Sequence, residues 1–256
     1  MTVISCVFIA VLGAALGSFF NVVISRLPRG MSIVHPPSQC PGCGTPIKPW
    51  RNVPVLSWLL LRGRCPDCGQ PIHWHYLLVE VVTPVVFLSL FLAGGGQFDP
   101  TFGKWALFFG VSLVIFFIDS FHMIIPDILS LPLIAVGLLV SLLPGADVGF
   151  YGAFTGAAFA FLLFWGLGVF YEKVRKVDGL GGGDVKYIAA VGAFVGFPWV
   201  LFVMVLGAVI ALVVFLALRL RRDQPFPFGP FLVAGTYLYV LVGDHLIDWY
   251  MSLLPV

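Results

Sequence analysis

The sequence predicts an all-α polytopic membrane protein of about eight transmembrane helices, with a small cytoplasmic zinc-binding domain between helices one and two. Three observations carry this. Of the 256 residues, 60% are hydrophobic and 10% charged, and the mean hydropathy is +1.04, which excludes an ordinary soluble domain. The apolar residues are gathered into separate stretches, each near the roughly 20 residues that cross a bilayer as a helix. Four of the five cysteines fall in two C-x2-C pairs inside the one sizeable polar segment. The expected domains are residues 1–24 as helix one, 25–76 as the cysteine segment, and 77–256 as a seven-helix membrane domain.

Taken in order, the spans are read at residues 3–24, 77–94, 104–124, 126–143, 150–171, 178–197, 199–218 and 229–253. The first has no basic residues before it, and Arg26 and Arg29 follow it, so it reads as an uncleaved span and not a signal peptide. Gly17, Ser18 and Asn21 near its inner end suit close helix packing, with Asn21 bonding across helices. Glu80, about a turn inside span two, needs a partner, which an arginine or lysine of the cysteine segment would supply. His73 and His75 read as interfacial anchors. The break at Gly196-Phe197-Pro198-Trp199 separates spans six and seven. At the outer end of span eight, Asp244, His245 and Asp248 share roughly one helical side and read as interfacial.

With this topology, 13 of the 14 lysines and arginines lie on one face, and only Lys104 lies on the other. The positive-inside rule makes that face cytoplasmic and puts the amino terminus outside. The net charge of +2 is mostly this topological signal, and nucleic acid is not an expected partner.

Residues 25–76 contain an internal echo, Cys40-Pro41-Gly42-Cys43-Gly44-Thr45-Pro46-Ile47 against Cys65-Pro66-Asp67-Cys68-Gly69-Gln70-Pro71-Ile72. Cys40, Cys43, Cys65 and Cys68 suit a tetrahedral four-thiolate Zn2+ site that staples a segment poor in large apolar groups. All four positions would be used, so the zinc is structural. Cys6, alone in span one, reads as a small hydrophobe. The mixed apolar and basic stretch from Arg51 to Arg64 reads as resting on the membrane surface.

The chemistry centres on Gly179-Leu180-Gly181-Gly182-Gly183-Asp184-Val185-Lys186. A glycine run is poor helix and lets another chain approach closely. Counting back from the Gly196 break at about 1.5 Å per residue puts Asp184 on the order of 10 Å inside the bilayer boundary. An ionisable group there is a functional candidate by default. Asp119 falls just inside the end of span three, and two crossings separate it from the glycine run. An even number of crossings returns the chain to the same face, so Asp119 and Asp184 can meet at similar depth. Two such carboxyls cannot both ionise easily. One keeps a proton while the other takes one from water, which is what aspartyl proteolysis requires.

Around this pair, Gly181 and Gly183 are expected to let an extended peptide come within hydrogen-bonding reach. Lys186 is a candidate to bias Asp184 or to pair with Glu80 or Asp127. Asp127, after Pro126, reads as a cap on span four that could also orient substrate. His122 lies about one turn from Asp119. A proton-coupled transporter using Asp119 and Asp184 as a relay is the alternative from another class. It calls for carboxylates spread along a path across the membrane, whereas spans four, five and seven carry none in their middles.

The residues resemble the bacterial type IV prepilin leader peptidase/N-methyltransferase family of GxGD aspartyl proteases. The resemblance covers nearly the whole chain. It rests on GSFFNVVISRLP from Gly17 to Pro28, the paired cysteine knuckles with NVPVLSW between them, Asp119 with Pro126-Asp127, GGGDVK from Gly181 to Lys186, and FGPFLVAG from Phe228 to Gly235. It implies that Asp119 and Asp184 are catalytic. It also implies cleavage of a short basic leader from type IV prepilins and type II secretion pseudopilins, at the cytoplasmic face of the bacterial inner membrane. A second activity is implied, methylation of the new amino terminus from S-adenosylmethionine, linked to the cysteine segment including Gly63. No Rossmann-type glycine motif marks a site for that donor.

Overall fold

The computed structural model describes residues 2–175, 181–219 and 226–253. Among these the regular structure is helical: α1 (Thr2–Arg26), α2 (Leu56–Leu60), α3 (Trp74–Ala93), α4 (Pro100–His122), α5 (Asp127–Val140), α6 (Phe150–Arg175), α7 (Gly182–Val195), α8 (Trp199–Ala217) and α9 (Gly229–Leu253). All but the five-residue α2 correspond to the eight expected spans. By length and composition, α1, α3, α4, α6 and α8 each qualify as membrane-crossing, and α5 and Gly229–Gly243 are shorter apolar helices. The chain is an all-α, multi-pass membrane protein. Lys176, Asp178, Gly179, Leu180, Arg221, Arg222 and the side chains of Asp244 and Asp248 lie outside the described residues.

The chain forms two compact units, Met1–Ala106 and Leu107–Val256, divided within α4. In the first, α1 lies against α3 because Gly13 and Gly17 remove the side chains that would hold the helices apart. A Cβ at Gly13 would stand 2.6 Å from Pro84 Cα, and one at Gly17 would stand 2.9 Å from Glu80 Cα. Asn21, buried at this seam, donates from Nδ2 to the Tyr76 carbonyl at 2.9 Å. Between α1 and α3 the backbone is mostly irregular, with 3-10 turns at Leu27–Arg29 and Pro49–Arg51. In α2 and beside it, Leu56, Leu59 and Leu60 point outward, as an interfacial segment would.

In the second unit α7 is the core. It packs on α5, α6, α8 and α9, and every residue from Tyr187 to Val195 is buried. Its small residues make this possible. A Cβ on Gly156 of α6 would come 2.5 Å from the Gly192 carbonyl, so α6 and α7 meet backbone to backbone. Phe108 and Phe194 fill the adjoining space with ring centroids 4.8 Å apart. The helix ends at Gly196, whose φ of +80° suits glycine, and α8 starts at Trp199, so the break lies where the sequence places it.

Candidate active site

Asp119 and Asp184 come together in the second unit. Asp119 lies one turn before the end of α4 and is only 5% exposed. Its Oδ2 accepts the backbone N–H of Gly229, the first residue of α9, at 3.1 Å. A Cβ at Gly229 would stand 2.7 Å from that same oxygen, so a glycine is needed for the amide to approach. Asp184 sits in the first turn of α7, within electrostatic reach of Asp119. Its Oδ1 is buried and, among the described residues, has no hydrogen-bond partner.

The helix beginning at Gly182 makes Asp184 a first-turn residue, preceded by the extended backbone of Gly181 at φ −65° and ψ 133°. Gly181 is exposed, and its carbonyl accepts the Asp184 N–H at 3.0 Å. Gly183 serves packing. A Cβ there would stand 2.8 Å from Ile125 Cβ, and Ile125 Cδ1 also lies 3.0 Å from the Cβ position of Gly229. Ile125 therefore spaces the starts of α7 and α9 around Asp119.

Lys186, whose partner the sequence leaves open among three, pairs with Asp127. Its Nζ lies 2.7 Å from both carboxylate oxygens, and both side chains are partly exposed. The ion pair joins the first turn of α7 to the first turn of α5. Asp127 begins its helix directly after Pro126 and, as expected, puts a carboxylate in the first turn at the positive helix end. His122 ends α4 and is exposed.

One feature of the site escaped the sequence reading. Tyr187 Oη donates to Ser112 Oγ at 2.9 Å, and both side chains are buried. Ser112 precedes Asp119 by two helical turns, and Tyr187 follows Asp184 by about one. Each therefore lies on the same helix face as its aspartate. The bond ties α4 to α7 along the faces that carry the two aspartates. The available signal was this pairing of spacings, i and i+7 on one helix with i and i+3 on the other.

The four cysteines come together in the first unit. One ligand atom from each of Cys40, Cys43, Cys65 and Cys68 lies within 4.8 Å of the others, and Cys40 Sγ is 3.8 Å from Cys68 Sγ. Tetrahedral zinc with bonds of about 2.3 Å sets sulfurs about 3.8 Å apart. The knuckles are built alike, with backbone bridges at Gln39–Pro46 and Arg64–Pro71. Thr45, through its hydroxyl and its backbone, holds the Cys43 thiol down to about 6. The Gln70 backbone lowers Cys68 in the same way, yet desolvation and the neighbouring sulfurs push it up to about 12. The cluster can hold a metal ion.

Glu80 finds its partner in the cysteine segment, but the partner is a backbone group. Its Oε2 accepts the Val55 N–H at 2.7 Å.

The chain is similar to known proteins along most of its length. Residues 11–93 match the family described as the bacterial peptidase A24 N-terminal domain, and residues 106–216 match the type IV leader peptidase family. The chain is 34% identical to a prepilin leader peptidase/N-methyltransferase of Aeromonas hydrophila, covering 93% of this chain and 90% of the relative. It is 32% identical to the protein of the same name from Neisseria gonorrhoeae, over 95% of this chain and 93% of the relative. With that of Burkholderia pseudomallei (strain K96243) it shares 35% identity over 92% of this chain and 87% of the relative. No solved structure matches it. The likeness runs through both units, and the chain belongs to the type IV leader peptidase family.

Proposed function

We propose that this protein is a membrane aspartyl endopeptidase, a prepilin peptidase that removes the short basic leader of type IV prepilins and type II secretion pseudopilins and then N-methylates the new amino terminus. The observation that carries the peptidase reading is the meeting of the two carboxyls. One is fixed by a backbone amide at Asp119 Oδ2, and the other has a buried oxygen, Asp184 Oδ1, with no hydrogen-bond partner among the described residues. A buried polar atom without a partner is a place for water or substrate to be bound. In the cycle, the pair shares one proton. The ionised member takes a proton from water as it attacks the scissile carbonyl, and the protonated member donates to the developing oxyanion. The atoms balance without a covalent intermediate, because water supplies the hydroxyl of the new carboxyl and the proton of the new amine. Gly181, exposed beside Asp184, is where an extended substrate backbone can lie alongside, while Lys186 and Asp127 hold the starts of α7 and α5 together around it.

Zn2+ fits the four-cysteine cluster, where Cys40, Cys43, Cys65 and Cys68 would hold it as a structural ion and tie residues 25–76 into a domain, with residues 77–256 as the peptidase domain. S-adenosylmethionine supplies the methyl group for the second reaction. The gathering of the basic residues on one side supports an active site at the cytoplasmic face of the bacterial inner membrane, with the amino terminus outside and the spans in the lipid bilayer. A proton-coupled transporter finds no support in the relatives' names.

The test is to incubate purified wild type and Asp184→Asn with a type IV prepilin and weigh the products, with and without S-adenosylmethionine. Loss of the leader with wild type alone is expected, followed by one added methyl mass. Cleavage by Asp184→Asn at the wild-type rate would remove the aspartate from its role.

A further inference from the structure

An exposed stripe of α1 runs through Phe8, Leu12, Ala15 and Phe19 and leads into a groove at the Arg26 end of the helix. The groove has a volume of about 430 Å³, within the range of small-ligand sites. Its floor carries Ala15, Phe19, Val22 and Arg26, which share one helix face. One wall is the loop from Ile33 to Ser38, and the other contains Asn52 and Pro54. We propose that this groove is a binding site for one anionic phospholipid, with the phosphate on Arg26 and an acyl chain lying along α1 toward Ala15. The proposal rests on the membrane-spanning character of α1 and on neither enzymatic activity.

Both walls are held in place. Arg26 donates to the carbonyls of Ser32 at 3.0 Å and Pro37 at 3.4 Å, fastening the loop to the helix. A guanidinium has five N–H donors, so others remain for a phosphate, which arginine grips with two parallel bonds. Ser32 Oγ accepts the N–H groups of Val34 and His35, each at 3.2 Å, which fixes the turn that begins the loop wall. Proline at positions 36, 37 and 54 stiffens both walls. Next to Pro54, the Val55 N–H donates to Glu80 Oε2 at 2.7 Å and ties the far wall to α3.

Charge and length select the ligand. Among the described residues the lining has one charged side chain, the Arg26 cation, together with apolar groups and the neutral side chains of Ser18, Ser38 and Asn52. A negative head joined to an apolar tail matches that division, and a basic peptide does not. From Ala15 to Arg26 the helix rises about 16 Å at 1.5 Å per residue, and half of a hydrocarbon core about 30 Å thick is about 15 Å. The floor therefore has the depth of one acyl layer, with its cation at the end where headgroup phosphates lie. Because α1 is long and apolar enough to cross the membrane, the stripe at Phe8 and Leu12 meets lipid, and the groove continues it. A chain can enter sideways from the bilayer.

The experiment uses the full chain in nanodiscs of phosphatidylcholine doped with phosphatidylglycerol that carries a photoreactive group on one acyl chain. After ultraviolet exposure and peptide mapping, label is expected to concentrate on residues 15–38. Arg26→Ala is expected to lower it about tenfold or more, as loss of a charged hydrogen-bond partner does, with Arg26→Lys between. Ala15→Trp, at an exposed position, fills the inner end of the groove and is expected to abolish the label. An unchanged thermal midpoint shows that each variant is folded. If Arg26→Ala shifts it, Ala15→Trp decides. Label spread evenly along the stripe from Phe8 to Phe19, and unchanged in the variants, means a shell of ordinary lipid and overturns the site. Equal labelling by the matching phosphatidylcholine probe overturns the choice of an anionic head. Loss of label on adding inorganic phosphate assigns the groove to a free anion, and loss on adding prepilin assigns it to a peptide. Either result overturns the lipid.

Discussion

In the second unit the polar groups are carried on helices and placed by contact of backbone with backbone, whereas in the first they stand on irregular chain and are placed by side chains. Asp119 is held by the amide of Gly229, and Asp184 rides on a helix whose Gly192 touches the backbone of Gly156. The cysteine segment has few buried apolar residues, and its shape depends on four sulfurs, on Arg26 reaching two carbonyls and on Glu80 reaching an amide. The first kind of site is held by the helices themselves. The second would be held by a cation and by single side chains, so on the proposed reading the two activities should fail under different insults.

The comparison is broken most sharply at the carboxyls. Asp119→Asn and Asp184→Asn should each lower leader cleavage by about 10³-fold or more, while zinc content stays at the wild-type level. Metal analysis beside a cleavage assay checks both halves. Next in size is Gly192→Leu, which forces α6 and α7 apart. Overpacking of this kind costs about 1–3 kcal/mol, and more where the obstacle is backbone, so a large drop in thermal midpoint is expected. The first unit supplies the opposite test. Cys40→Ser should release zinc and expose residues 27–73 to protease, yet leave cleavage within about tenfold of wild type, because the lost binding energy belongs to that segment. Intact zinc after this change would refute the four-sulfur site.

Smaller effects sharpen the picture of the second unit. Tyr187→Phe removes the buried bond to Ser112 and should cost about 1 kcal/mol of stability. It should lower kcat more than it raises KM, because the bond ties together the helix faces that carry the carboxyls. An unchanged kcat would deny it that role. Lys186→Met breaks a partly exposed ion pair worth about 0–1 kcal/mol, so stability should hardly change. Any loss of cleavage then reports on how the start of α7 is placed.

What the sequence made legible followed from repeated or periodic signals. Span limits follow from apolar runs, and the meeting of Asp119 with Asp184 follows from counting crossings. The cysteine cluster follows from the CPxCGxPI echo. What stayed hidden depended on backbone partners or on long-range register. Glu80 was expected to face an arginine or lysine, and it bonds the Val55 amide, a group that every residue but proline carries and no pattern marks. The sequence leaves Lys186 open among Asp184, Glu80 and Asp127, and it pairs with Asp127, 59 positions away, a choice that only the packing of α5 on α7 makes. The Tyr187 bond to Ser112 joins residues 75 apart, and its register is set only once α4 and α7 pack.

Helices α5 and α7 are packed side by side, each has 14 residues, and their first turns are joined by the Lys186–Asp127 pair. At 1.5 Å per residue each is about 21 Å long, so the two fall about 9 Å short of a hydrocarbon core about 30 Å thick. A bilayer meets such a mismatch by thinning locally or by letting solvent in at the short end. On the proposed peptidase reading, with their joined ends beside Asp184, two helices this short would leave the bilayer thin where the peptide is cut, and bulk water would reach the bond without a dedicated channel.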